Sequence, residues 1–369
     1  MISVLSLLIL VFNAPATLQD QSPKIQAPSI DQVSQAAQQA LNENRDDDAV
    51  TLFRQALKLK PDWDEGLWDL SSLFYEKEHF SEARDLLRHF LVQNPKHGPG
   101  WALLGLSEYK THEWGRALQH LQRGLSLDMQ NRTELTNAAA YHQAVLLARF
   151  EQYHDSLLVL YKLREAGAPQ DSLEEAAGLA ALGYPLLPEE VPPQRRALVR
   201  MAGVGTFARF DQRLADAEPV FRKMAEEFPQ EPGVHYQYGL LLLSDRPVDG
   251  IQEIQKELAL SPSHVPSRLR LAEYYLAQSQ PEKARPYIDA VLKLEPNNAS
   301  GHLLLGEELT KTGDNDGAIR ELQTARELAP QRAKVLWALL RAYRAAGRHA
   351  DADGIRAEIE KLREPDASE

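Results

Sequence analysis

Apolar residues recur along this chain at helical spacing, in stretches that end just before a proline. The prolines that close these stretches are Pro61, Pro95, Pro229, Pro262, Pro296 and Pro330. The intervals 61–95, 262–296 and 296–330 are each 34 residues, and the interval 229–262 is 33. Because proline cannot continue a helix, this spacing predicts a helical unit repeated about every 34 residues.

Two further positions recur with the same period. A small residue stands twelve positions before each proline, in the set Ala49, Ala83, Ala217, Gly250, Ala284 and Ala318. A bulky apolar residue stands eight positions before each proline, in the set Phe53, Leu87, Phe221, Ile254, Ile288 and Leu322. A small residue lets two helices approach closely, and a bulky one fills the space between them. The pattern therefore predicts helical hairpins that stack on one another.

This pattern resembles the tetratricopeptide repeat family over nearly the whole mature length. The family's Trp-Leu-Gly-Tyr region is matched best by Trp101-Ala102-Leu103-Leu104-Gly105, and again by His302-Leu303-Leu304-Leu305-Gly306. The resemblance implies an all-α fold, a right-handed superhelical solenoid of about nine helix–turn–helix repeats plus one extra helix. It also suggests an exported bacterial member of the family.

The repeats predict two blocks separated by an interruption. Residues 30–170 hold four repeats, residues 198–365 hold five, and a short tail follows at 366–369. The intervening segment 171–197 does not fit the repeat. Atypical repeats are expected at the ends of such an array, where one side faces water.

The interrupting segment combines a short predicted helix with a proline-rich stretch. Ser172-Leu173-Glu174-Glu175 has the form of a capping box, and Gly183 is a suitable helix end. Four prolines between residues 185 and 193 forbid a regular helix there. We interpret 171–197 as a degenerate repeat that forms an ordinary insertion, or alternatively as a joint between the two blocks.

The N-terminus predicts an export signal. Ile2–Phe12 is an apolar run, and Ala14 and Ala16 match the small-residue rule for cleavage. The prediction is a signal peptide over 1–16, a polar linker over 17–29, and a periplasmic or secreted protein without a stable membrane span after cleavage. The alternatives are an uncleaved membrane anchor or an apolar start with no targeting role, since no Lys or Arg precedes the run.

Composition narrows the possible chemistry. The 369 residues include 41 Lys and Arg, 53 Asp and Glu, and no Cys, which gives a formal net charge of −12. Without cysteine there are no disulfides, thiolate nucleophiles or zinc–thiolate sites. An acidic chain also argues against a general nucleic-acid-binding surface.

No catalytic or cofactor motif stands out. Gly203–Ala208 matches a dinucleotide fingerprint, but that motif needs a preceding strand, and Pro193–Ala202 is predicted to be helical. The histidines are scattered, so no metal site is expected, and we expect no cofactor and no enzyme activity. The acidic pairs Glu189-Glu190 and Glu307-Glu308 are predicted to lie on solvated helix faces.

The resemblance also implies a binding groove lined by the first helix of each repeat. The residues predicted to face a protein or peptide in that groove are Trp68, Tyr75, Tyr109, Lys110, Tyr141, Arg149, Arg209, Tyr236 and Trp337. The same repeat positions hold Glu273, Glu307, Lys311 and Arg344. The paired Lys and Asn with which family co-chaperones hold a C-terminal carboxylate are absent, so a chaperone-tail clamp is not expected.

These observations predict a non-catalytic scaffold that binds a protein or peptide partner through the groove, in an envelope or periplasmic assembly. Two alternatives stay open. The chain could serve as an accessory subunit of an enzyme such as a glycosyltransferase, or it could self-associate as a structural protein through its exposed end helices.

Overall fold

The computed structural model describes residues 29–330 and 332–361. These residues form nineteen α-helices and no strand. They belong to two compact units, one ending at Gln93 and the other beginning at Asn94. The predicted export signal at 1–16, the linker up to residue 28 and the tail at 366–369 lie outside the described residues.

The first unit contains two helical hairpins. Its helices are α1 (Ile30–Asn42), α2 (Asp46–Leu59), α3 (Asp64–Glu76) and α4 (Phe80–Gln93). Helix α1 packs against α2, and α3 packs against α4. Ser29 caps α1, since its hydroxyl accepts a hydrogen bond from the Gln32 backbone N–H, while the Ser29 backbone N–H donates one to Gln32 Oε1.

The second unit contains the other fifteen described helices. They are α5 (Gly98–Lys110), α6 (Trp114–Leu125), α7 (Thr133–Arg149), α8 (Tyr153–Glu165), α9 (Gln170–Leu182), α10 (Pro193–Phe210), α11 (Leu214–Glu227), α12 (Val234–Leu242), α13 (Pro247–Leu260), α14 (Val265–Ala277), α15 (Pro281–Leu294), α16 (Ala299–Thr312), α17 (Asn315–Leu328), α18 (Ala333–Ala345) and α19 (His349–Lys361).

Neighbouring helices of this unit pair as antiparallel hairpins, and one helix is left over. The hairpins are α5–α6, α7–α8, α10–α11, α12–α13, α14–α15, α16–α17 and α18–α19. Each hairpin also packs against the next, except that α9 lies between α7–α8 and α10–α11, and this stacking makes the unit an α-helical solenoid. Helix α9 lies outside these hairpins and packs against α8 on one side and closely against α10 on the other. With the two hairpins of the first unit, the prediction of nine repeats plus one extra helix is confirmed.

The recurring small and bulky residues form the core of the hairpins, as predicted. Five of the six small residues are alanines with no exposed surface, and the six bulky residues are also fully buried. Gly250 shows why the position must be small, because a Cβ there would lie 2.8 Å from the Gly239 carbonyl oxygen. Burying a side chain such as Phe53 or Phe221 contributes about 1.5–3 kcal/mol.

The closing prolines take part in the turn between repeats through their carbonyl groups. The imidazoles of His235 and His302 lie 3.0 Å and 2.8 Å from the carbonyl oxygens of Pro229 and Pro296. The Trp101 indole N–H donates to the Pro95 carbonyl at 3.0 Å. A side chain six residues after the proline thus ties the start of one hairpin to the end of the previous one.

Helix α9 begins earlier than its capping box predicts. Its N-cap is Pro169, so the capping box at Ser172 is wrong, and Ser172 lies inside the first turn. The predicted end is confirmed, because Gly183 follows the helix with φ = 71° in the left-handed region. The chain then makes one 3-10 turn at Pro188–Glu190 before α10.

Helices α9 and α10 cross with their backbones in contact. A Cβ at Gly178 of α9 would lie 1.8 Å from the Val199 carbonyl oxygen, and one at Gly203 of α10 would lie 1.8 Å from the Glu174 carbonyl oxygen. Only glycine fits at either position without moving a helix. This crossing holds the intervening segment, residues 183–192, at a defined place in the second unit.

Candidate peptide-binding surfaces

The predicted groove residues of the first unit lie on α3. Trp68 borders an open cavity of about 360 Å³, and its ring centroid is 5.8 Å from that of Phe90. The other lining residues are Ser34, Gln35, Gln38, Trp63, Glu65 and Asp69. Tyr75 is half-buried with its ring edge-on to Phe80, and burial raises the pKa of its hydroxyl. Trp68 is therefore the predicted residue of this unit that borders open space.

Four predicted groove residues, Tyr109, Lys110, Tyr141 and Arg149, lie on α5 and α7. We call this face the α5–α7 surface. The chain's own segment 183–191 contacts it. The Tyr109 hydroxyl donates to Glu189 at 2.9 Å, and the ring is 7% exposed. The Arg149 guanidinium donates to the Pro185 carbonyl at 2.7 Å and to Glu190 at 3.0 Å.

Further contacts fix the same segment. Leu187 is 3% exposed, and its backbone N–H donates to the Glu190 carboxylate at 2.9 Å. The Tyr153 hydroxyl donates to the Gly183 carbonyl at 3.0 Å. Glu189 and Glu190 were predicted to lie on a solvated helix face. Both are exposed, as predicted, but they lie in a 3-10 turn and are bonded to Tyr109 and Arg149.

Burial shifts the pKa values of three side chains on this surface. Burial, together with Glu189, raises the pKa of Tyr109. Burial, together with Glu175 and Glu189, raises the pKa of Tyr141 to about 12. His142 packs between the rings of Tyr109 and Tyr141, and burial lowers its pKa. The two tyrosines are neutral hydrogen-bonding groups at physiological pH. Lys110 is exposed at the end of α5.

Arg209 and Tyr236 lie in the packing between α10, α12 and α14. Arg209 reaches Gln237 at 3.4 Å, and burial lowers the pKa of its guanidinium. Tyr236 meets His264 edge-on with 4.9 Å between ring centroids, and burial raises the pKa of its hydroxyl. Both side chains contact neighbouring repeats rather than open space.

Three other residues at predicted groove positions come together in one cavity. Glu273, Glu307 and Lys311 lie on α14 and α16 and border a space of about 450 Å³ between α14, α16 and α18. We call it the α14–α18 cavity. The remaining lining residues are Leu276, Ala277, Thr310, Lys334, Ala338 and Arg341. Leu276 and Ala338 are buried and supply an apolar floor.

Ion pairs between repeats set the charge around the α14–α18 cavity. Glu273 accepts from Lys334 at 2.9 Å and from Arg270 at 2.8 Å. Burial alone would raise the pKa of Glu273, but these two cations lower it overall. Arg341 donates to Glu307 at 2.7 Å. Lys311 is exposed and has no ion pair among the described residues.

The ninth predicted groove residue, Trp337, lies on α18 with 39% of its surface exposed. Ligand contact by the nine predicted residues stays a prediction. Two lining residues of the α14–α18 cavity, Lys334 and Ala338, are not among the residues predicted to face the groove. Lys334 occupies the second position of its repeat, a position that faces the groove in this family, and that rule could have found it.

The glycine motif is helical, as predicted. Gly203 and Gly205 lie inside α10, and a Cβ at Gly205 would come within 2.8 Å of the Phe221 ring. Gly205 therefore serves helix packing. The prediction that Glu307-Glu308 is a solvated pair is wrong for Glu308, which is 5% exposed and bonded to Arg285 at 3.3 Å.

Across the described residues, no group of three or more His, Asp or Glu side chains is arranged to hold a metal ion. None of the helices in the described ranges has the length and apolar character needed to cross a membrane.

One family model matches part of the second unit. Residues 269–309 and 303–353 match the family model described as Tetratricopeptide repeat. All nine residues that line the α14–α18 cavity lie within these matched ranges.

Solved structures of MamA are similar to part of the chain. The structure titled MamA AMB-1 is 24% identical and covers 43% of this chain and 94% of its own, with a TM-score of 0.38. The MamA RS-1 ArsTM double mutant is 21% identical and covers 44% and 92%, with a TM-score of 0.40. A search of curated proteins found no match.

Proposed function

We propose that the chain is a tetratricopeptide repeat protein and that it serves as a non-catalytic scaffold, which binds a protein or peptide segment in the α14–α18 cavity. The observation that carries the proposal is the cavity itself. Three first helices from successive repeats border one open space with an apolar floor and a charged rim. Such a combination suits a peptide, whose apolar side chains fill the floor while polar groups meet the rim.

The α14–α18 cavity is preferred over the α5–α7 surface because of what already contacts each. Residues 185–190 lie on Tyr109 and Arg149, so an external partner would have to displace them. The rim of the α14–α18 cavity consists of side chains that can exchange partners. Arg341, for example, keeps more than half of its side-chain surface exposed while paired to Glu307.

The experiment that tests this proposal fills the cavity. Ala277 is exposed on α14 and borders the space, so Ala277→Trp would occupy it without disturbing the core. The matched control is Arg320→Trp, which places the same ring on the exposed face of the second helix α17. Partners captured by the full chain from its native cells are quantified by mass spectrometry.

We expect the wild type and Arg320→Trp to recover the same partner, and Ala277→Trp to recover at least about tenfold less, as for loss of a central contact. Circular dichroism checks that all three proteins are equally helical. Equal recovery by the three proteins would contradict the proposal.

We further propose that the protein is exported and works in the envelope or periplasm. The support is the apolar run Ile2–Phe12 followed by Ala14 and Ala16. Mass spectrometry of the N-terminus is the test. A chain beginning at Thr17 in an extracytoplasmic fraction is the expected result, and Ala16→Leu should block that cleavage. An intact N-terminus in the cytoplasmic fraction would contradict the proposal.

A further inference from the structure

The segment 185–190 shows which chemistry the first helices of this solenoid can hold. It contains two prolines, is extended at Leu187 and then forms the 3-10 turn Pro188–Glu190, which holds its two glutamates. A buried Leu187 anchors it, the Tyr109 hydroxyl bonds to Glu189, and the Arg149 guanidinium bonds to a backbone carbonyl and to Glu190. The segment is thus held by one apolar side chain, one hydroxyl and one cation.

Arg149 and Lys311 occupy the same position of their repeats. With repeats at 137–170 and 299–332, each is the thirteenth residue, at the end of a first helix. Arg149 is engaged by the chain's own segment, whereas Lys311 has no ion pair among the described residues. The position that meets a carboxylate on the α5–α7 surface therefore presents an unneutralised cation at the α14–α18 cavity.

The charges around the cavity favour an anionic ligand. Four cations, Arg270, Lys311, Lys334 and Arg341, lie in or next to the lining. They face two carboxylates, Glu273 and Glu307, and both carboxylates are already paired. The charged groups around the cavity therefore carry a net positive charge, although the formal net charge of the whole chain is −12. A carboxylate brought to Lys311 would gain a charge-assisted contact without displacing an existing one.

We infer that the α14–α18 cavity binds a short, proline-containing acidic segment of a partner protein in the manner in which the α5–α7 surface holds residues 185–190. An apolar side chain of the partner packs on Leu276, Ala277 and Ala338, and a neighbouring glutamate or aspartate pairs with Lys311. This inference rests on the proposed function and adds the chemical class of the partner.

The test uses a peptide with the sequence of residues 184–191, Tyr-Pro-Leu-Leu-Pro-Glu-Glu-Val, carrying a fluorescent label. A second peptide has both glutamates replaced by glutamine. Binding of each to the full chain is measured by fluorescence anisotropy. We expect the acidic peptide to bind at least about fivefold more tightly than the glutamine peptide, and the difference to shrink as salt is added.

Variants locate the site. Lys311→Glu should weaken the acidic peptide about tenfold, and Lys311→Gln should weaken it less, because the first reverses a charge and the second removes it. The matched control Arg320→Glu reverses an exposed cation on the second helix α17 and should leave binding unchanged. Circular dichroism verifies the helicity of each variant.

The outcomes separate this inference from the proposed function. If both peptides bind equally and Ala277→Trp abolishes both, the cavity binds peptides but the preference for acidic segments is overturned. If Lys311→Glu and Arg320→Glu bind the acidic peptide equally, or no peptide binds at all, the inference is also overturned. The proposed function is then decided by the partner-capture experiment alone.

Discussion

The α5–α7 surface and the α14–α18 cavity are built from the same repeat positions but differ in what contacts them. On the first, the chain's own residues 185–190 lie against Tyr109 and Arg149. On the second, Lys311 and Arg341 border open space. The difference arises from α9, which lies outside the repeat hairpins and leads into the proline-rich segment. One extra helix thus changes which part of a repeated surface is available to a partner.

The largest effect is expected from disrupting the crossing that holds the covering segment. Gly203→Ala would place a Cβ 1.8 Å from the Glu174 carbonyl oxygen, so α9 and α10 must separate. We expect a loss of about 3 kcal/mol or more in the free energy of unfolding, measured by urea denaturation.

The control for this substitution is Gly115→Ala in α6. A Cβ at Gly115 would meet no atom within 4 Å, and alanine is the better helix former. This variant should be equal to the wild type or more stable by up to about 1 kcal/mol. A Gly203→Ala protein as stable as the Gly115→Ala protein would show that the close crossing is not required.

A smaller effect is expected from loosening the segment itself. Arg149→Met removes the hydrogen bonds to Pro185 and Glu190. The contact of the segment with the α5–α7 surface should therefore lose about 1–3 kcal/mol of stability. Hydrogen exchange of the amides of residues 186–191 should accelerate about tenfold or more, while amides in α14–α18 stay unchanged. Arg116→Met, which removes a surface pair with Glu113, is the control and should change neither region.

Two histidines, one on the α5–α7 surface and one in α12, should contribute to stability with opposite dependence on pH. Burial lowers the pKa of His142, on the α5–α7 surface, below its usual 6.5. A hydrogen bond to Glu253 raises the pKa of His235, in α12, above 6.5. Above pH 6.5 the imidazole of His142 is neutral, and its contribution to folding stability is fully present. This contribution is lost as the pH falls from 6.5 through the folded pKa. The protonated form of His235 favours folding below pH 6.5, and this contribution is lost as the pH rises through its folded pKa.

Nuclear magnetic resonance of the imidazole protons measures both histidines in one titration. The midpoint of His142 should lie below 6.5 and that of His235 above it. Midpoints in the reverse order would contradict the assignments, and Glu253→Gln should lower the midpoint of His235 without moving that of His142.

The smallest effect is expected at the exposed leucines that precede the closing prolines. Leu260, Leu294 and Leu328 each stand two residues before a proline, and Leu294 is 47% exposed. Leu294→Gln should change the free energy of unfolding by less than about 0.5 kcal/mol. Ile288→Ala in the same helix is the contrast, with an expected loss of about 2–5 kcal/mol, because Ile288 is fully buried.

Much of the fold could be predicted because each repeat is specified by residues that are close together in the sequence. Proline, a small residue and a bulky residue at fixed spacing specify one hairpin, and a series of hairpins specifies the array. The same features predicted Ala49 and Phe53 as core residues, and both are fully buried. The end of α9 at Gly183 followed from local geometry as well.

The candidate site could be predicted only in part. The repeat positions that gave Glu273, Glu307 and Lys311 are local, and these residues do share a cavity. The contact between residues 185–190 and the α5–α7 surface is not local, since Tyr109 and Glu189 are eighty residues apart in sequence. A periodic sequence pattern does not predict a contact between residues so far apart. The only signal was the coincidence of acidic residues after prolines with Tyr and Arg at groove positions.

The alternative that 171–197 forms a joint between two blocks stays a prediction, but the glycine crossing has a consequence for how the second unit unfolds. In an array held by contacts between neighbours, unfolding advances from an end, one hairpin at a time. Helices α9 and α10 meet backbone to backbone at Gly178 and Gly203, so they cannot slide or part gradually. We therefore expect fraying that begins at α5 or at α19 to stop at this pair, so that the pair acts as a cooperative boundary inside the second unit.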